Sequence, residues 1–270
     1  MSEAENPLEP FKRAMTATMR ALAEDEELDV SFGPGAPTAR GNRMRVPLPS
    51  VGCDADELDS VRGVGDQFAL KLRHHDAALH ARFAPQGGPA QEMFEWIEEA
   101  RIASIGSLRM EGVAQNLDAR LEVQCKQAAF DSITAETEAP LSVAVGLIVR
   151  QALTGRELPP SAENVVRFWR DHVEAHAGEQ IRSLKRQVRD QAEFATVCRS
   201  IIADLGLAAD LDEPTEGDHD QDEVETMDEN EQAESDFSPE DVVLDDDSMG
   251  DENADGDAWG ICARVESTPA

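Results

Sequence analysis

Residues 207–270 hold 24 aspartates and glutamates against one basic residue, Arg264. A stretch so charged, with few large apolar side chains, cannot bury a core, because self-repulsion and hydration both oppose collapse. Residues 1–206 differ: 23 lysines and arginines stand against 32 acids, with enough apolar material for a core of ordinary domain size. The chain therefore reads as a folded domain over residues 5–206 followed by a disordered acidic tail over 207–270. A net charge of −32 argues against nucleic acid and against an anionic membrane surface as partners. The apolar run Leu141–Val149 is too short to span a bilayer.

Within the folded part, Pro89–Leu117 carries the strongest apolar face. At about 100° per residue, Met93, Phe94, Trp96, Ile97, Ala100, Ala103, Ile105 and Leu108 share one wide arc, with Glu92, Glu95, Glu98 and Glu99 opposite. This segment is expected to be the helix around which the others pack. Arg101 falls inside the apolar arc. Two readings are open: its stem packs while the guanidinium reaches the rim, or it pairs with a buried carboxylate or a partner's acid.

The remaining elements follow from spacing and punctuation. Asn6, Pro7 and Glu9 look like a helix start, and Phe11, Met15, Thr18 and Leu22 continue it to about Ala23, where the acids Glu24–Glu27 disfavour a helix end. Leu28, Val30 and Phe32, then Met44, Val46 and Leu48, alternate with polar residues across a Gly- and Pro-rich stretch. They predict a two-stranded hairpin whose second strand Pro47 marks as an edge. Asp54 and Glu57 cap a helix that runs through Phe68 and His75 to Leu79, bent at Gly63 or Gly65. Residues 110–130 and 141–153 are helical, and another helix after Ser161 turns Val165, Phe168, Trp169 and Val173 inward. Ile181 to Leu205 keep a heptad rhythm, giving one long helix that packs in a bundle or offers a seam to another subunit, with Gly206 as its cap. The fold class is mainly α: a helical bundle with a small two-stranded β-hairpin near the N-terminus.

Chemistry is sparse. Neither Gly33–Gly41 nor Gly63–Asp66 has the Lys and Ser/Thr of a phosphate loop, so no ATP site is expected. Cys53, Cys125, Cys198 and Cys262 are too far apart for a zinc pair and read as reduced thiols in a cytoplasmic protein, and the acidic N-terminus is not a signal peptide. His74, His75, Asp76 and His80 form a dense ligand-type cluster. Asp76 and His80 share a helical face and could bind one metal, whereas His75 on the apolar face fits a hydrogen-bonded core histidine. Asp251, Asn253, Asp255 and Asp257 imitate half a calcium loop, but Cys262 stands where its bidentate acid belongs. Asp246, Asp247 and Ser248 approach an Asp-x-Ser-x-Ser pattern, with Gly250 in place of the second serine. Arg182, Lys185, Arg186 and Arg189 form a basic stripe, either a solvated face or a dock for the tail or a partner. Trp259, Ile261, Cys262 and Val265 read as a docking peptide or as the end of a linker. No catalytic, cofactor-binding or metal-binding residue is expected.

Three segments, RGNRMRVPLP (Arg40–Pro49), LKLRHHDAALHARFAP (Leu70–Pro85) and EEARIASIGSLRMEGVAQNL (Glu98–Leu117), resemble the N-terminal region of the T subunit of aerobic cobaltochelatase, the CobT family. The resemblance covers about residues 5–258, and the family shares the order of helical domain and long acidic linker. It implies a non-catalytic assembly subunit of the ATP-dependent ligase that inserts cobalt into hydrogenobyrinic acid a,c-diamide in cobalamin (vitamin B12) biosynthesis. The implied partners are an AAA+ ATPase (S) subunit and a large corrin-binding (N) subunit in a ring-type hetero-oligomer. Cobalt and ATP-Mg would be handled by those partners, and this chain alone would be inactive. Family members continue into a von Willebrand factor type A domain with a metal site. This chain ends at Ala270, so it resembles a truncated or split member, and no site residues carry over. Two alternatives remain: a free-standing acidic adaptor or chaperone that binds basic proteins through its tail, and a metalloprotein built on His74, His75, Asp76 and His80.

Overall fold

The computed structural model describes residues 8–50 and 52–211. Asn6, Pro7, the acidic tail beyond Leu211, the calcium-like stretch and the Trp259–Val265 segment lie outside the described residues. Among the described residues the helices are α1 (Glu9–Ala23), α2 (Ala55–His74), α3 (Ala77–Phe83), α4 (Gly88–Ser107), α5 (Glu111–Gln127), α6 (Leu141–Thr154), α7 (Glu163–Ser183) and α8 (Gln191–Ile202). The strands are β1 (Asp29–Gly33), β2 (Thr38–Arg40) and β3 (Arg43–Pro47). The mainly α reading of the sequence holds. No helix among the described residues is long and apolar enough to cross a membrane.

Helix α4 is the centre of the packing, as its pattern predicts. Fourteen of its 20 residues are buried, so it is enclosed on most sides rather than lying on a surface with one apolar stripe. Its first turns, through Met93, Phe94 and Ile97, join a core with α6, α7 and α8. Trp96 enters a second core with Leu121 and Cys125 of α5, Val143 of α6 and Val165 of α7. Ile102 and Ala103 enter a third with α1, α2, Val113 of α5 and Met44 and Val46 of the sheet. Leu108 departs from expectation: it sits just past the end of the helix and is 53% exposed.

The N-terminal β unit corrects the expected hairpin. The two alternating stretches do pair, but in parallel, with Val30 opposite Met44 and Phe32 opposite Val46. The tight antiparallel partner of β3 is the short β2, with Ala39 opposite Met44, and the sheet order is β1-β3-β2. Three residues are too few to show an alternation, so β2 leaves no periodic trace. Pro47 is therefore on the central strand rather than an edge strand. It is tolerated because β2 reaches only to Arg45, so the strand has one neighbour by the time it reaches the proline.

Two expected long helices are broken. The helix begun at Asp54, whose carboxylate accepts from the Glu57 amide at 2.9 Å, ends at His74. His75 is extended, and Asp76 then caps α3 by accepting from the Leu79 amide. The heptad run from Ile181 is interrupted by a 3-10 turn at Leu184–Arg186, after which Asp190 caps α8 through the Glu193 amide. In both places an aspartate competes with helix continuation by bonding the backbone three residues on. Ile181, Leu184, Ala195, Cys198, Ile202 and Leu205 are buried in the first core, so this seam is used within the chain. Gly206 does take the left-handed conformation (φ 91°), and Leu207 and Leu211 still pack against that core.

Gly63 and Gly65 do not bend α2; they are where neighbours come close. A methyl group at Gly63 would fall on the backbone oxygen of Asn116 in α5, an atom that cannot swing aside. At Gly146 it would stand 2.7 Å from Trp96 Cβ, where α6 crosses α4. Gly63→Ala is expected to destabilise the fold by at least about 1–3 kcal/mol through overpacking. Gly112→Ala, where a methyl meets nothing within 4 Å, should stabilise α5 by about 0.5–1 kcal/mol. Urea denaturation of the two variants measures the contrast, and equal effects would contradict this packing.

Candidate functional site

Glu98 and Arg101 are three residues apart on α4, so their side chains share a face. Both are buried, at 6% and 1% exposure. Burying two charges costs several kcal/mol each unless they are paired and fully hydrogen-bonded. Here the guanidinium meets the carboxylate as a fork: Nε donates to Oε2 and Nη2 to Oε1, both at 2.7 Å. The other donors reach three further elements. Nη2 donates to the His74 carbonyl at the end of α2 (2.6 Å) and to Gln191 Oε1 at the start of α8 (3.3 Å), and Nη1 donates to the Val188 carbonyl in the intervening turn (3.2 Å). The second of the two sequence readings of Arg101 is therefore the correct one: it pairs with a buried carboxylate. Glu98 was placed on the polar arc by the wheel, yet it lies inside, and only its spacing from Arg101 hinted at the pair.

Histidine extends the network. His75 Nδ1 lies 2.8 Å from Glu98 Oε1; an ionised carboxylate only accepts, so that nitrogen carries the proton. The His80 ring lies tilted against its neighbours, 4.8 Å from His75 and 5.1 Å from Phe94. Burial pushes the His80 pKa down to about 4, helped by His75, Lys71 and Arg101 and opposed by Glu98. For Glu98, burial pushes the carboxyl up, but the hydrogen bonds and charges of Arg101 and His75 outweigh it and hold the group below its ordinary value. Gln191 pins the α2–α3 break to α8 by accepting from the Asp76 amide and donating to the Asp76 carbonyl.

The ligand cluster seen in the sequence is thus split and re-formed. His75 and His80 join Glu98, and one ligand atom from each lies within 4.8 Å of the others. Two imidazoles and a carboxylate suit zinc or a similar divalent ion. The competing fact is Arg101, which already occupies both oxygens of Glu98 and places a fixed positive charge beside any ion. Glu98, His75 and Arg101 are joined by hydrogen bonds, whereas the buried His80 Nδ1 has no hydrogen-bond partner among the described residues. Asp76 is spent on its cap, and His74 turns to an adjoining cleft of about 450 Å³, lined with Arg73, Arg101, Arg109, Arg189 and Gln191. Of the basic residues 182–189 only Arg189 reaches this cleft. The others spread over a helix end and a turn rather than forming a stripe. A larger groove of about 570 Å³ lies between α1 and α2, where burial raises Asp66 to about 6 against the Asn116 hydrogen bond and Arg62.

Arg101→Met should cost about 3–5 kcal/mol, because it strands a buried carboxylate. Glu98→Gln combined with Arg101→Met should cost clearly less than Arg101→Met alone, which a double-mutant cycle in urea will show. For His80, the folded pKa lies below the ordinary 6.5, so its contribution to stability is present above about 6.5 and is lost as pH falls towards about 4. The stability difference between wild type and His80→Gln should therefore change over that window; a difference that is flat with pH would contradict the assignment.

A protein-family model described as cobalamin biosynthesis protein CobT matches residues 5–260. No solved structure matches the fold. The matched span includes every element that meets at Arg101, and on that extent of agreement the chain belongs to the CobT family of cobalamin biosynthesis proteins.

Proposed function

We propose that this chain is the non-catalytic assembly subunit of an ATP-dependent cobaltochelatase, the ligase that inserts cobalt into hydrogenobyrinic acid a,c-diamide during aerobic cobalamin biosynthesis. The observation that carries this reading is the family match over residues 5–260. In this scheme the helical body recruits an AAA+ ATPase subunit into a ring-type assembly, and a separate large subunit holds the corrin. Cobalt is a substrate of the complex, and ATP with its magnesium belongs to the ATPase. The sequence supports that division, since it offers no Gly-rich loop with the Lys and Ser/Thr that a phosphate site requires.

A buried hydrogen-bonded network such as Glu98–Arg101–His75 favours one arrangement of the helices over near alternatives. Two of the three segments that carry the family resemblance, Leu70–Pro85 and Glu98–Leu117, meet at this network through His74, His75 and Arg101.

A second reading is a free-standing adaptor that binds basic proteins through residues 207–270, and the 24 acids there favour it. Co-purification of the full chain with the AAA+ subunit of its cobaltochelatase tests the first reading, and a chain ending at Leu211 separates the two. The assembly reading expects both forms to retain the ATPase. The adaptor reading expects no ATPase contact from either form and loss of basic-protein binding on truncation. Failure of the full chain to bind the ATPase would sink the proposal.

A further inference from the structure

Acids outnumber lysines and arginines in the chain, 56 to 24, and several arginines are held in ion pairs. Arg62, Arg120, Arg150 and Arg156 each have an acidic partner, and Arg73 meets Glu24 at 2.5 Å. Arg109 and Arg189 differ from these. They come from different places, the junction of α4 with α5 and the turn before α8. Neither has an ion-pair partner among the described residues, and both line the same cleft of about 450 Å³. The only carboxylate on its walls, Asp76, is held as the cap of α3.

We propose that this cleft is an oxyanion-binding site that takes a small ligand bearing phosphate or carboxylate groups, held by Arg109 and Arg189 beside His74. Guanidinium forks match the paired oxygens of either group, and the volume fits a small molecule rather than a protein domain. His74 also lines the cleft; its Nε2 is closed to solvent and has no hydrogen-bond partner among the described residues. Its pKa is pushed down, by burial first and then by Arg73, Arg101 and Arg109. The ring is thus neutral at neutral pH, with three guanidinium groups close by. Arg73 and Arg101 are already paired with Glu24 and Glu98, so Arg109 and Arg189 are the charges that an anion would neutralise. This inference does not depend on the chelatase reading.

The test uses the full chain at low ionic strength, with inorganic pyrophosphate and citrate as separate calorimetric titrants. Saturable binding of one equivalent is expected for at least one of them, and the tighter of the two names the anionic group. The exposed pair Arg109→Ala/Arg189→Ala should weaken it at least tenfold, while Lys185→Ala/Arg186→Ala, outside the cleft, should leave it unchanged. Three results would overturn the proposal: no saturable binding of either anion, binding that survives Arg109→Ala/Arg189→Ala, or an equal loss in both pairs.

Discussion

One buried guanidinium ties together parts of the chain that are otherwise far apart in sequence. Arg101 sits in the middle of α4, and its donors end on the last carbonyl of α2, the turn at Val188 and the side chain that opens α8. The first two are backbone carbonyls at a helix end and a break, which the helices themselves leave unpaired. Glu98 makes the burial of the cation possible, and His75 completes the carboxylate. Remove the cation and four elements lose a shared partner while a buried acid is left alone, which is why a pair of this kind weighs more heavily when broken than when replaced as a unit.

Around that point the helices approach closely enough that glycine is required at the crossings. Gly63 admits α5, and Gly146 admits the turn of α4 that carries Trp96. The three cores are therefore not independent, since α4 contributes side chains to each. This also explains why the helix has polar residues within its buried surface: Ser104 bonds back to the Ala100 carbonyl at 2.6 Å and so needs no outside partner.

Much of this was legible in the sequence. The helical class, the central place of Pro89–Leu117 and the capping role of Asp54 all follow from spacing alone, because a long buried periodic segment constrains its own conformation. What was illegible has identifiable causes. The parallel pairing of β1 with β3 depends on β2, three residues long and without a pattern. The breaks at His75 and Lys185–Asp190 depend on single aspartates that end one helix by starting another, while the apolar rhythm runs on across the break. Glu98 was misplaced because a helical wheel ranks residues by polarity, and a buried acid looks like a solvated one until its partner is known. The same limit split the histidine cluster: adjacency in sequence grouped His74 with His75, whereas the chain turns between them and sends one to the cleft and the other to α4.

The family assignment and the physical account meet in the same residues, since the α2–α3 break and the second half of α4 hold both the resemblance and the network. The central claim is that Arg101 couples the end of α2, the Val188 turn and the start of α8 into one cooperative unit. Native-state hydrogen exchange on an Arg101→Lys chain tests it, because lysine keeps the charge but cannot span the fork and the two carbonyls. The account predicts that amides around residues 71–76 and 190–195 lose protection together, while those of the β1–β3 pair stay as in the wild type. Unchanged protection in both regions, or a loss confined to one of them, would contradict it.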